Sequence, residues 1–252
     1  MFLIADIGNT HCKFSIYNPK IKKIYNFRTF QTKFINRNKK FLNLINKLNI
    51  SYFVATSVVP KVYKLLKKML KKKHVICFEI LDKKLHNPIK INVKQPKQVG
   101  SDRIANVIAA NNSYNTNCVV VDFGTATTFD ILNKGGVYEG GLITPGLRLS
   151  LITLNSLTAQ LPLIKLKKTS QIIGKDTISA MNSGIYWGYV SMINGILEKI
   201  ITSTKKKYKV ILTGGLSSIF ANSLKYKSIV NKNITLWGVV GVINFNKKIF
   251  NL

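Results

Sequence analysis

Leu3-Ile4-Ala5-Asp6-Ile7-Gly8-Asn9-Thr10 and Val119-Val120-Val121-Asp122-Phe123-Gly124-Thr125-Ala126 are the two stretches on which the fold turns. Each runs from an apolar strand through Asp, one apolar residue and Gly to a small polar residue. A second strand follows each: Lys13 to Tyr17 alternates polar and apolar residues, and Thr127 to Leu132 is the other. Strand, tight Gly turn and returning strand make a β-hairpin. Asp6 and Asp122 lie 122 − 6 = 116 positions apart, close to half of the 252 residues. Self-similarity at such an offset is the mark of an internal duplication. It predicts an α/β chain of two related domains, 1–115 and 116–252, divided in the Asn-rich stretch before Cys118.

The residue types of the repeat suit phosphate. An Asp at a strand end is a hard oxygen donor, fitted to Mg²⁺ directly or through its waters. The glycine lets the backbone turn tightly and approach a ligand. Consecutive N–H groups in such a turn form a nest for anions. Thr10 adds a hydroxyl. Neither G-x-x-x-x-G-K-[ST] nor G-x-G-x-x-G occurs, so the commoner phosphate loops are excluded. One Asp-Gly turn alone would say little; two copies half a chain apart say much more.

Around the repeat, Ser51 to Val59 reads as a strand ending at Pro60, and Val62, Leu65, Leu66, Met69 and Leu70 recur at helical spacing with a lysine-rich solvated face. Gly100-Ser101-Asp102-Arg103 precedes the apolar stripe Ile104, Val107 and Ile108, which places Ser101 or Asp102 near a helix N-terminus. An Asp there is commonly a cap, and by itself Asp102 reads as a cap before it reads as a general base. Arg103 suits a carboxylate, a phosphate or a surface ion pair. Asn111 to Asn117 reads as a linker, and Gly135 to Gly146 as a glycine-punctuated stretch. A long helix runs from Ile178 to Ile200; Gly184, Gly188 and Gly195 within it predict close packing against another element. Val210-Ile211-Leu212 is a buried strand feeding Thr213-Gly214-Gly215, a plain turn or a flat backbone surface for adenine and ribose. His11 lies beside the first turn, while His74 and His86 form no ligand spacing.

Composition narrows the class. Lys and Arg number 39 against 9 Asp and Glu, a net charge of +30. Such a field attracts nucleic acid, anionic membranes and acidic metabolites. Lys, Asn and Ile are abundant throughout while Arg, Gly and Pro are sparse, a chain-wide bias rather than a surface built for one partner. No zinc spacing, RNP-like strand or helix-turn-helix accompanies it. Cys12, Cys77 and Cys118 are scattered and odd in number, which predicts reduced thiols. Met1 to Ala5 is apolar but ends at Asp6, too short for a signal peptide, and no run reaches the roughly 20 apolar residues of a membrane span. The expectation is a soluble, cytoplasmic protein.

Taken together and in order, the motifs resemble type III pantothenate kinase, of the actin-like superfamily of acetate and sugar kinases. The resemblance runs nearly end to end. Ile4 to Thr10 looks like the family's first phosphate motif, Val99 to Asn106 its substrate and catalytic segment, and Asp122 to Thr128 its second phosphate motif. Gly140 to Gly146, Thr158 to Pro162, Gly174 to Thr177 and Leu212 to Gly215 are also similar. The resemblance implies two ribonuclease-H-like domains in a homodimer that transfers the ATP γ-phosphoryl group to the 4′-hydroxyl of pantothenate, the first step toward coenzyme A. It implies that Asp6, Ile7, Gly8, Asn9, Thr10, His11, Cys12, Lys13 and Thr125 contact ATP, with Asp6 near Mg²⁺. Gly100, Ser101, Asp102, Arg103 and Thr177 would contact pantothenate, Asp102 as proton acceptor. Asp122 would bind a monovalent cation, K⁺ or NH₄⁺. One departure is Ile91, where the family commonly places an aromatic residue; Ile can pack on pantothenate's dimethyl carbon but offers no hydroxyl. The rival readings are an ATP-binding regulator on the same fold and a nucleic-acid-binding protein. Neither nucleic acid nor membrane is expected as a specific partner.

Overall fold

Phe2, Leu3, Ile4, Ala5 and Ile7 are all buried, as befits a strand at the centre of a sheet. The computed structural model describes residues 1–252. In chain order the first elements are β1 (Phe2–Ile7), β2 (His11–Asn18), β3 (Lys23–Gln31), α1 (Lys39–Lys47), β4 (Tyr52–Ser57), α2 (Pro60–Lys71), β5 (Ile76–Glu79), β6 (Lys90–Ile91) and α3 (Ser101–Tyr114). Then follow β7 (Cys118–Phe123), β8 (Ala126–Leu132), β9 (Val137–Pro145), α4 (Leu147–Ser156), α5 (Thr177–Thr204), β10 (Lys209–Gly214), α6 (Ser217–Phe220), β11 (Ser228–Val230) and α7 (Ile234–Phe245). Residues 1–114, 136–138 and 233–252 form one compact unit, and 115–135 with 139–232 the other.

The first unit's sheet has the order β3-β2-β1-β4-β5. β1 pairs antiparallel with β2 and parallel with β4, and β5 runs parallel to β4. Helices α1 and α2 lay Phe41, Ile45, Leu66 and Leu70 against Phe14, Phe53 and Ile7 of the sheet. Full burial of each such side chain contributes about 1.5–3 kcal/mol. Pro60 stands at the first position of α2, where its missing N–H costs nothing.

The second unit repeats the plan. Its strands follow the order β9-β8-β7-β10-β11, with β7 antiparallel to β8, parallel to β10, and β11 parallel to β10. Position by position β7 stands for β1, β8 for β2, β10 for β4 and β11 for β5, so the duplication read from the Asp-Gly repeat is a duplication of topology. Phe129, Ile131, Tyr186, Ile193, Leu197 and Phe220 fill this unit's core. The architecture is α/β with two mixed sheets.

Several local expectations are revised. Asn111 to Tyr114 are not linker but the last turn of α3. Their polarity is overridden by packing: α3 lies along α7 so closely that a Cβ on Gly238 would sit 1.9 Å from Ala105 O, and one on Gly241 would sit 2.7 Å from the Asn112 side chain. Thr235 Oγ1 also donates to Asn106 Oδ1 at 2.8 Å. That packing returns residues 233–252 to the first unit, whereas a single cut near residue 115 assigns them to the second. The glycine-punctuated stretch contains a nine-residue strand, β9. Gly184, Gly188 and Gly195 of α5 do not pack closely: a Cβ on any of them would meet nothing within 4 Å.

Candidate active site

The first turn closes with the Gly8 N–H donating to His11 O at 3.0 Å. Asn9, Thr10 and His11 are exposed, and Asp6 and Lys13 partly so, whereas Ile7 and Cys12 are fully buried. Of the residues expected to meet ATP, those two therefore offer only backbone groups. The β1–β2 register sets Asp6 directly opposite Lys13, and the β1–β4 register sets it opposite Thr56. Residues directly opposite share a face of the sheet. The carboxylate thus stands between a cation and a hydroxyl at the end of β1.

Thr56 leads to the second group of expected residues. Its hydroxyl donates to Ser101 Oγ at 2.7 Å, and the Ser57 N–H donates to the same oxygen at 2.8 Å. Ser101, 5 % exposed, thereby ties the first turn of α3 to the end of β4. Asp102 follows. Its Oδ1 accepts the Arg103 N–H at 2.8 Å and lies 2.6 Å from where a Gly100 Cβ would stand. Gly100 is therefore required for the carboxylate to fold back beside the helix start. Burial raises the Asp102 pKa above its ordinary 3.8, and the Arg103 N–H and guanidinium pull it partly back. Arg103 lies 5.9 Å from the centre of the Tyr138 ring. Asp6, Lys13, Ser101, Asp102 and Arg103 are gathered in this unit.

In the second unit Asp122 stands opposite Thr128 on β8 and Thr213 on β10. Gly214 has φ +87°, and a Cβ there would meet Phe123 O at 2.5 Å and Asp122 Oδ1 at 2.7 Å. Two oxygens thus face one glycine whose conformation other residues rarely adopt. The exposed Thr125 caps the turn, whose Gly124 N–H donates to Ala126 O at 3.1 Å. Gly146 presses on that turn from behind: a Cβ there would lie 1.9 Å from Thr125 O. Thr177 is the first residue of α5, exposed, behind a capping box between Asp176 and Ser179.

Sequence reading missed two residues beneath these groups. Thr32 is buried under the first turn, with its hydroxyl 2.7 Å from Gly8 O. Glu79, at the end of β5, accepts the Leu81 N–H through Oε2 at 2.8 Å, while Oε1 is buried without a hydrogen-bond partner. Burial raises its pKa above the ordinary 4.5, offset only in part by hydrogen bonding such as that from the Leu81 N–H. A lone acid closing an apolar strand, Ile76-Cys77-Phe78-Glu79, was the available signal for Glu79. Thr32 had none, because a Thr after an exposed strand is unremarkable.

No group of three or more His, Cys, Asp or Glu is placed to hold a metal, the three cysteines are free, and no helix is long and apolar enough to cross a membrane.

The type III pantothenate kinase profile matches residues 2–199. A type III pantothenate kinase of Pelagibacter ubique is 43% identical over 245 residues, covering 95% of this chain and 97% of that one. Among solved structures, a Baf-family protein of Campylobacter jejuni superposes with a TM-score of 0.61 at 21% identity, covering 99% of this chain and all of the other. An inorganic polyphosphate/ATP-glucomannokinase of Arthrobacter superposes with a TM-score of 0.50 at 11% identity over 98% of both chains. The fold is that of the actin-like ATPases and sugar kinases, and the chain belongs to the type III pantothenate kinase family.

Proposed function

We propose that this protein transfers the γ-phosphoryl group of ATP to the 4′-hydroxyl of pantothenate, with Asp102 as the proton acceptor. One observation carries the assignment. Asp102 stands in the first turn of its helix, where Oδ1 accepts the Arg103 N–H, in a partly buried setting that makes the carboxylate more basic than a solvated one. Phosphoryl transfer has a loose transition state, so positioning and charge neutralisation carry most of the catalysis. The base takes the proton only as the new P–O bond forms. It therefore needs reach, about 2.6–3.2 Å to the hydroxyl or one intervening water, more than strength.

The remaining roles follow the chemistry of each group. Asp6 to Lys13 hold the nucleotide phosphates, largely through the N–H groups of the turn and the Lys13 ammonium. Thr125 contacts ATP from the second turn. Gly100, Ser101, Arg103 and Thr177 hold pantothenate, and Ile91 packs on its dimethyl carbon.

A kinase of this fold works on ATP with a divalent metal. The donor set fits Mg²⁺ held by few protein ligands: Asp6 supplies a carboxylate, no group of three or more potential ligands is assembled, and Mg²⁺ keeps waters and phosphate oxygens as its other ligands. Asp122 Oδ1 and Phe123 O, facing the same glycine, fit a hard monovalent cation, K⁺ or NH₄⁺. When bound, these ions supply charge that offsets the phosphates. Surface lysines cannot replace charge fixed at the γ-phosphate. We also expect a homodimer, for which the open glycine face of α5 leaves room.

The test is a coupled kinase assay on pantothenate with MgATP, with and without K⁺. Formation of phosphopantothenate, stimulated by K⁺, is the expected result. ATP binding without any product would instead favour a regulator on this fold.

A further inference from the structure

Thr32 is tied to the first turn at three points. Its N–H donates to Thr10 O at 3.0 Å, its hydroxyl donates to Gly8 O at 2.7 Å, and Cys12 Sγ lies 3.4 Å from the same hydroxyl. A threonine hydroxyl carries one hydrogen, and Gly8 O takes it. Cys12 is then the donor in the third contact, and burial, which raises its pKa, keeps its proton in place.

The consequence falls on the Gly8–Asn9 peptide. A trans peptide points its C=O and the next N–H in opposite directions. With the Gly8 carbonyl drawn inward to Thr32, the Asn9 N–H is turned away from the protein body, at an exposed position. A glycine peptide can flip with little steric resistance. Flipped, it would present a carbonyl oxygen where an anion needs a donor. The second turn has no such lock: Gly146 packs against its carbonyls instead.

We propose that Thr32 is a positioning residue for phosphate recognition, holding the Gly8–Asn9 peptide with its N–H outward toward a nucleotide phosphate. This rests on the reading that the first turn binds ATP. Thr32→Val keeps the shape and the backbone bond to Thr10 but deletes the hydroxyl; Thr32→Ser keeps the hydroxyl. MgATP affinity is measured on the full chain by calorimetry, alongside the KM for pantothenate and thermal melting. The expected result is a Kd for MgATP weakened about tenfold in Thr32→Val, the KM for pantothenate within about twofold of wild type, and near-complete recovery in Thr32→Ser. Should Thr32→Val not fold, Thr32→Ala, which also deletes the hydroxyl, carries the same comparison against Thr32→Ser. Wild-type ATP affinity in Thr32→Val overturns the proposal. So does an equal loss on both substrates that Thr32→Ser does not relieve, which would mark packing alone. A wild-type protein that binds no MgATP defeats the functional reading first, a distinct outcome, and takes this proposal with it.

Discussion

Gly146→Ala tests whether the second turn must stand where it does. An alanine Cβ there would lie 1.9 Å from Thr125 O, 2.5 Å from Thr125 C and 2.8 Å from Gly124 O. Real Cβ contacts are not shorter than 3.0 Å, so the Thr125 carbonyl must retreat by about 1.1 Å. The obstacle is backbone, not the end of a flexible side chain. Nor can Gly146 itself retreat freely, because its carbonyl accepts the first bond of α4, from Ser150 N at 2.9 Å, and Tyr189 Oη donates to the adjoining Pro145 O at 2.5 Å. Overpacking of this kind costs about 1–3 kcal/mol in stability. A displacement near 1 Å in a substrate-positioning element costs on the order of 100-fold in rate. We therefore expect kcat/KM to fall about 100-fold in a coupled kinase assay while circular dichroism and most of the thermal stability remain. Gly135→Ala, whose Cβ would meet only the Asn133 side chain at 3.3 Å, is the matched control and should stay within about twofold of wild type. A Gly146→Ala enzyme with wild-type kcat/KM would refute the reasoning, since the turn could then shift an ångström without consequence.

Asp102→Asn should lower kcat by about 10²- to 10⁴-fold and leave MgATP binding intact; loss of nucleotide binding in this variant would undercut the base assignment. Because burial raises the Asp102 pKa, the acidic limb of the wild-type pH profile should lie above 3.8, with activity lost as pH falls through it. Asp122→Ala should abolish stimulation by K⁺, and an unchanged K⁺ response would move the cation elsewhere. Glu79→Gln should raise Tm at pH 7 by about 2–4 °C for each kcal/mol of charge burial relieved. The sign follows from the raised folded-state pKa: the carboxyl's favourable contribution is complete below 4.5, where it is protonated in both states, and is lost as pH rises through the folded value. The gain from Gln should therefore shrink toward zero in melts below pH 4.5, and a gain independent of pH would contradict it.

The sequence carried the duplicated hairpins because their information is local: a strand, an Asp and a turning glycine within eight residues. It also carried the helix start at Ser101, since an apolar stripe follows it directly. What it did not carry is contact between distant segments. Asn111 to Tyr114 are polar enough for a linker, yet α7, more than a hundred residues later, packs against α3 and keeps the last turn helical. Thr32 and Gly146 matter through close contacts with the two turns, the shortest at 2.7 Å and at a would-be 1.9 Å, and neither leaves a periodic trace. The glycines of α5 misled for the converse reason: a small residue permits a close approach without compelling one.

The two halves share a frame, so their differences show where function entered. At the ends of the paired central strands the equivalents are Thr56-Ser57 in one half and Thr213-Gly214 in the other. In the first half, Ser57 N–H and Thr56 Oγ1 are both spent on Ser101, which anchors the helix that carries Asp102. In the second half a left-handed glycine replaces the serine, and no Cβ fits between it and Asp122. A side chain there would displace the carboxylate; its absence leaves Asp122 Oδ1 and Phe123 O facing the same space. One frame thus holds a helix-borne carboxylate, Asp102, in the same half as its strand-end Asp, and the other keeps bare backbone beside its own. On the roles proposed for Asp102 and Asp122, that divergence, more than the repeat itself, is what would set the proton acceptor apart from the cation ligand.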